Sequence, residues 1–313
     1  MSSNQGRHPG KKISIYITSL IAIILWGMSY IWCDALIGLG IPVEYFIFIR
    51  ILLAGVLLLC FNLAARENIR MDFRRDFGWF LLLALCEPTI YFVCETYGIK
   101  LTESPTYSAL IVATTPVFSS IIGVLVFKER LNLMNAAGIA VCLGALVMIT
   151  LCSSCVGEHF VLGVILLMVA VFAEVGHASM VKVLSSRYTP SVIVMYQFLI
   201  GSALLLPFFL TKGLENFDPS VYLSWDVWKP ILCLALLCSA LAFTLWAGSI
   251  KHLGVAKSSV FLAMIPVVTA VAGFILGQEL LTLQQWAGIG IFCIGLIMTQ
   301  LRQCREKAPT SEE

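Results

Sequence analysis

Ser108-Ala109-Leu110, Pro116, Lys128-Glu129-Arg130-Leu131 and Gly138 return 150 residues later as Ser258-Ser259-Val260, Pro266, Gln278-Glu279-Leu280-Leu281 and Gly288. Proline to glutamate is 13 residues in both copies, and glutamate to glycine is 9. Arg50-Ile51-Leu52-Leu53-Ala54 and Gln197-Phe198-Leu199-Ile200-Gly201 form a weaker pair. Both copies lie in apolar sequence. The 313 residues are 59% hydrophobic and 12% charged, with a mean hydropathy of +0.94. Soluble domains carry about 25% charged residues. This chain has too little polar surface to stay dissolved, which makes it a polytopic membrane protein.

A membrane span needs about 20 mostly apolar residues. Ten stretches qualify, at approximately 13–33, 43–63, 76–98, 105–127, 133–151, 159–181, 190–211, 228–249, 255–277 and 282–301. They are numbered one to ten below. Five spans per copy is an odd number, so the second copy must enter the membrane inverted. The expected fold is all-α, with ten transmembrane helices as two inverted-topology five-helix repeats. Residues 13–151 and 159–302 are the repeats, and 1–12 and 303–313 are the tails. Such repeats are characteristic of secondary transporters, with the substrate at the repeat interface near the midplane.

Lys and Arg give the orientation. With the N-terminus inside, sixteen of the 20 basic residues fall in the tails and inner loops, three (Lys100, Lys212, Lys229) outside, and Arg50 within span two. Both termini are therefore expected in the cytoplasm. Basic residues scattered over short loops do not make a nucleic-acid surface. The run from Ile13 lacks a cleavage site and reads as a first span, not a removed signal. Most of the eleven cysteines lie in apolar runs, where cysteine behaves as a small hydrophobe. Cys152-Ser153-Ser154-Cys155 falls in an outer loop, where a disulfide stays open as an option.

The polar residues inside the spans are the candidate site. In Cys86-Glu87-Pro88-Thr89-Ile90-Tyr91-Phe92-Val93-Cys94-Glu95, the residues Glu87, Tyr91 and Glu95 follow an i, i+4, i+8 spacing on one helix face. Pro88 removes a backbone hydrogen bond and drives its ring toward the Ala84 carbonyl. Ionised Glu87, near the midplane, costs at least ~2.5 kcal/mol unless water or a partner compensates. That cost suits reversible protonation; the alternative is a permanently protonated carboxyl bonded to a neighbouring helix. Glu95 lies near the outer end of span three at the depth of Arg50, so an Arg50–Glu95 ion pair is expected as a strut or gate. Glu174 and His177 share a face of span six at i, i+3 and suit a proton relay. Two ligands at that spacing do not make a metal site without one or two more, and no metal or other cofactor is expected. Trp26, Tyr30, Tyr91, Tyr107 and Trp246 are the candidate aromatic walls, suited to an apolar or cationic solute. Gly138-x5-Gly144 and Gly288-x-Gly290-x4-Gly295 are small-residue seams in spans five and ten, for packing within one chain or for a homodimer face. Glu129 and Glu279 read as turn or cap residues.

Leu25-Trp26-Gly27, Arg50, Pro116 with Lys128-Glu129-Arg130-Leu131, and Pro266 with Gly277-Gln278-Glu279 together resemble the drug/metabolite transporter superfamily, EamA type, over nearly the whole chain. Glu87-Pro88 through Tyr97-Gly98 is similar to a variant found in some bacterial members. The resemblance implies a ten-span carrier of small metabolites in the bacterial inner membrane, commonly an exporter. It implies that spans one, three, four, six, eight and nine surround the pathway, and that Arg50 acts as a strut. Ala263-Met264 departs from the pattern, where related proteins often carry a polar residue before the proline. The expected function is secondary transport of a small organic metabolite, with proton coupling through Glu87; the alternatives are a proton-independent exchanger, a scaffold or an intramembrane enzyme. No Walker motif or nucleophile–base pairing supports an ATP-driven pump or an enzyme.

Overall fold

The structure, a computed structural model, describes residues 9–118, 133–152, 159–214, 218–254, 258 and 260–300. Among these residues all regular structure is helical. Six helices are long and apolar enough to cross a membrane: Ser14–Gly38, Val43–Ala64, Phe73–Thr102, Phe160–Leu184, Pro190–Gly213 and Trp225–Leu253. They correspond to predicted spans one, two, three, six, seven and eight. Spans five, nine and ten appear as shorter apolar helices, Ala136–Ile149, Ile265–Ile275 and Leu283–Thr299. Span four is described as Pro105–Val112 and the turn that carries Pro116. Its remainder lies outside the described residues, as do Lys128-Glu129-Arg130-Leu131, both cysteine side chains of the proposed disulfide, residues 1–8 of the N-terminal tail and the whole C-terminal tail.

Spans three and eight, which the duplication makes equivalent, are both interrupted midway by wide π-type turns, at Leu85–Ile90 and Cys233–Leu241. In span three the interruption is a true break. Glu87 takes an extended backbone (φ −148°, ψ 123°), and the Glu87–Pro88 peptide bond is cis. The Ala84 carbonyl is taken up by the Thr89 hydroxyl at 2.8 Å. The Pro88 ring docks on Gly201 of span seven, where even a Cβ would stand 2.5 Å from Pro88 Cγ. The proline thus fixes a helix contact as well as a break. In span eight the loosened turn leaves the Cys238 carbonyl free to accept from Trp26 Nε1 at 3.1 Å. Irregular backbone at membrane depth is tolerated where protein or a cavity covers it.

The two ends of the bundle hold different loops. At one end, Asp76, Arg75, Arg187, Tyr188 and Lys251 come together, with Tyr188 Oη donating to Asp76 Oδ2 at 2.7 Å and Lys251 Nζ 3.4 Å from the Tyr188 carbonyl. At the other end, Tyr97 donates to Glu44 at 2.5 Å. There Glu279 accepts from Ser104 Oγ at 2.5 Å, from the Thr106 amide at 3.2 Å and from the Thr106 hydroxyl. Glu279 therefore caps a helix of the opposite repeat. It reaches there because Gly277 takes a left-handed φ of +70°, which turns the chain back after Ile275.

Spans five and ten pack directly on one another within the chain, the first of the two uses expected for their glycine seams. A Cβ on Gly138 would stand 2.7 Å from the Gly295 carbonyl and the Thr299 amide, and one on Gly295 would stand 2.9 Å from the Cys142 amide. Small residues let the two backbones approach this closely. Gly138, Gly288 and Gly295 are taken up by this packing, whereas Gly144 and Gly290 meet nothing within 4 Å. Gly138→Ala should cost about 1–3 kcal/mol by overpacking against backbone that cannot move aside, whereas Gly144→Ala meets nothing within 4 Å and should be neutral. Thermal unfolding of the detergent-solubilised variants distinguishes them, and equal midpoints would contradict this packing.

Candidate functional site

Midway along the bundle lies a small enclosed cavity of about 30 Å³, room for about two water molecules. Span one supplies Trp26, Ser29 and Tyr30, span two Arg50, and span three Glu87, Tyr91, Phe92 and Glu95. Val112 and Thr115 come from span four, Glu174 from span six, Phe243 from span eight, and Leu262 with Ile265 from span nine. Seven segments from both repeats thus meet around one space. The span-nine contribution is apolar; Met264 is exposed on the far side, and the Ala263 side chain lies outside the described residues. Pro266 opens the helix Ile265–Ile275 immediately behind this wall.

The break in span three turns Glu87 toward span six. Glu87 Oε2 is 2.8 Å from His177 Nδ1, and Glu174 Oε2 is 3.3 Å from the same nitrogen. All three residues are buried. The i, i+3 pair expected on span six is therefore part of a triad, and its third member comes from another helix. One ligand atom from each of Glu87, Glu174 and His177 lies within 4.8 Å of the others, so the fold supplies the third donor missing from span six alone. The 2.8 Å contact joins two buried atoms that have no aligned hydrogen-bond partner among the described residues, a separation that a shared proton can bridge. Behind it, Gln197 of span seven places its carbonyl oxygen 3.4 Å from His177 Nε2.

Arg50 is buried and lines the cavity, but it does not pair with Glu95; among the described residues no carboxylate lies within ion-pair distance of it. Nε donates to Ser239 Oγ at 3.2 Å, Nη1 is 3.7 Å from Cys33 Sγ, and the guanidinium stacks on Phe92 at 4.0 Å from the ring centre. Glu95 accepts instead from Tyr91 Oη, one turn back on its own helix, at 2.8 Å. Equal depth was the basis of the expected pair. Rotation about the helix axis, which depth does not specify, turns Arg50 toward spans one and eight.

The aromatic expectations divide. Trp26, Tyr30 and Tyr91 line the cavity. Trp246 backs the wall, its ring 5.3 Å from Trp26, and does not reach the space. Tyr107 packs on Phe160 at 5.2 Å in a separate apolar cluster with spans five and ten. Phe92 and Phe243, which sequence reading left out, replace them; their rings stack edge-on at 5.8 Å, and Phe243 reaches the edge of Trp26 at 5.0 Å. Phe92 sits in the quoted acid stretch and carried a signal. Phe243 lies in plain apolar sequence and carried none, and Gln197 surfaced only as the weak repeat partner of Arg50.

The chain was compared with known proteins. A model of the EamA-like transporter family matches twice, at residues 13–151 and 161–301. The uncharacterized transporter YetK of Bacillus subtilis is 25% identical over 307 residues, covering 97% of this chain and 92% of YetK. A Salmonella typhimurium protein named "Probable amino-acid metabolite efflux pump" is 24% identical, covering 89% of this chain and 92% of the pump. A Streptantibioticus cattleyicolor protein named "Probable terminal-alkyne amino-acid exporter" is 28% identical over 62% of this chain and 64% of its own. One solved crystal structure superposes with a TM-score of 0.68 over 94% of this chain and 99% of its own, at 16% identity, a likeness of fold. Two family matches, one on each half of a duplicated helical bundle, make the chain a multi-pass membrane transporter that belongs to the EamA-like transporter family.

Proposed function

We propose that this transporter carries a small amino-acid-like metabolite out across the cytoplasmic membrane by alternating access, with both termini inside and a proton held by the Glu87–His177–Glu174 triad as the coupling ion. The observation that carries the reading is the composition of the cavity. A guanidinium with no carboxylate partner among the described residues stands on one wall, and three carboxylates stand on the others, two of them against the His177 imidazole behind the lining. A zwitterion matches that arrangement: its carboxylate suits the planar fork of Arg50, and its ammonium suits Glu95 and the surrounding aromatic faces. Two relatives whose names specify amino-acid compounds point the same way. The space as it stands is too small for such a solute, so the solute enters only when one side of the bundle opens.

Intramembrane ionisable residues are costly enough that they ordinarily mark substrate or proton pathways. Here His177 Nδ1 and Glu87 Oε2 stand 2.8 Å apart, and a small rotation of the carboxyl or the ring that aligns them lets a proton pass. The test is efflux of zwitterionic amino acids with apolar side chains from proteoliposomes, with and without an imposed pH gradient. The gradient should accelerate efflux by the wild type and leave Glu87→Gln unaffected. Equal acceleration of both would remove Glu87 as the coupling site; transport indifferent to the gradient in both would leave a proton-independent exchanger. Arg50→Lys keeps the charge and loses the fork, and should weaken apparent affinity roughly tenfold, the scale of one charge-assisted hydrogen bond; unchanged affinity would exclude Arg50 as the carboxylate contact.

A further inference from the structure

We infer that Gln197 is the positioning residue for His177, a rotatable amide that matches the imidazole in either protonation state and keeps Nδ1 aimed at the two carboxylates. The inference rests on the coupling role proposed for the triad. It starts from an anomaly. Gln197 is 0% exposed in the middle of span seven, and its carbonyl oxygen lies 3.4 Å from His177 Nε2. Its amide nitrogen makes no hydrogen bond to any described residue. A half-satisfied buried amide is worse for stability than leucine would be. Its presence therefore calls for a reason other than packing, and its one described hydrogen-bonding neighbour is the imidazole.

The two ends of a carboxamide are nearly the same size and opposite in hydrogen-bonding sense. With the oxygen toward Nε2, the ring keeps a proton there, and Nδ1 carries a second one toward Glu87 and Glu174; the imidazolium then faces acceptors on both sides. With the NH2 toward Nε2, that nitrogen accepts, and Nδ1–H remains directed at the carboxylates in a neutral ring. Passing the Nδ1 proton to Glu87 Oε2 takes the pair from two charges to none with the amide oxygen still on Nε2–H, and Nδ1 then accepts from the protonated carboxyl. A half-turn of the amide accommodates the other neutral tautomer, with the proton on Nδ1, while both helices stay in place.

The surroundings support this assignment. The titratable groups that face His177 are Glu174 on its own helix, and Glu87 with the Cys86 thiol on span three. Span seven presents Gln197, and span eight presents the Phe243 ring at 6.1 Å. The weaker repeat pairing aligns Gln197 with Arg50. A guanidinium at this position would repel an imidazolium, whereas an amide serves both of its states. The same slot in the two repeats thus holds a fixed cation on one side and an adjustable dipole on the other.

The experiment is nitrogen-15 NMR of the histidine rings in the full chain in lipid, where four histidines contribute and His177→Phe identifies the signal. Gln197→Leu should lose the hydrogen-bonded Nε2 signal and show a mixture of tautomers. Gln197→Glu should stay doubly protonated to a higher pH than Gln197→Leu, by one unit or more, a tenfold difference in proton concentration. A merely structural glutamine would give the two variants the same ring spectrum, and identical spectra in the wild type and both variants would likewise overturn the inference. Proteoliposome efflux indifferent to pH, alongside the expected NMR changes, would remove the coupling reading and leave the positioning role standing.

Discussion

Replacing His177 by phenylalanine should abolish acceleration of efflux by a pH gradient and destabilise the protein by about 3–5 kcal/mol, the cost of breaking a buried charge pair from one side. Phenylalanine fills the volume of the ring and fits beside Phe243, whose centroid is 6.1 Å away, so little of the loss would come from packing. What disappears is the nitrogen that faces Glu87 at 2.8 Å and Glu174 at 3.3 Å. Two buried carboxyls then share one small space without a cation. Adding Glu87→Leu should recover much of the stability, because well-packed apolar residues replace a buried pair at little or no net cost, but it should not recover coupling. Thermal unfolding of the two single variants and the double variant gives the interaction energy as a double-mutant cycle. Additive losses, with no recovery in the double variant, would mean that the 2.8 Å approach is not an energetic pair, and the triad would lose its claim as coupling site.

The members of this triad are separately visible in the sequence, while their meeting is not. Spacing along one helix exposes Glu174 with His177, and hydropathy exposes Glu87 as an acid where hydrocarbon is expected. Their contact depends on how spans three and six lie against each other, and close approaches set that: Gly98 against Leu167, Gly163 against Thr102, and Gly176 against Cys86. Glycine in a membrane helix shows that something approaches closely without showing what approaches. The same limit accounts for Arg50, whose depth was readable and whose direction was not. Tyr107 and Trp246 failed for a related reason. Each is buried on a helix near the cavity, and a rotation of less than half a turn decides between lining it and packing behind it. Glu279 was legible as a cap because a glutamate follows Gly277-Gln278 at the end of an apolar run. That it caps a helix of the other repeat follows only from the inverted packing. Asp76 was overlooked, although an acid at the first position of span three, directly after Arg74 and Arg75 at the end that the charge bias assigns to the cytoplasm, was a usable signal.

Asp76 and Glu279 lead to the last expectation, because each ties one repeat to the other at opposite ends of the bundle. Asp76, 0% exposed, joins span three to the turn between spans six and seven through Arg187 and Tyr188, with Arg75 at 3.2 Å. Burial raises the Tyr188 phenol above its usual range, so it remains a donor to that carboxylate. Arg75 and Arg187 are 58% and 38% exposed, so solvent screens their share and the contact is weaker than a fully buried pair. Glu279 joins the turn after span nine to the start of span four. With the termini inside, as proposed, the Asp76 contact closes the cytoplasmic side and the Glu279 contact closes the external side. Alternating access requires that they weaken in turn, so removing either should bias the equilibrium in opposite senses. Asp76→Ala should raise labelling of Ser29→Cys, a cavity-wall position, by membrane-impermeant maleimide from the cytoplasmic side about tenfold, the factor that 1.4 kcal/mol gives. Glu279→Ala should do the same from the external side. A ligand-free carrier that responds to both changes from the same side would place the two contacts on one gate, and one that responds to neither would make them struts that never open. Opposite responses are what the proposed alternating access demands of an inverted duplication, in which each repeat supplies the acid that ties the bundle at one end; a solute at Arg50 and the triad, as proposed, would then lie between two closures that do not open together.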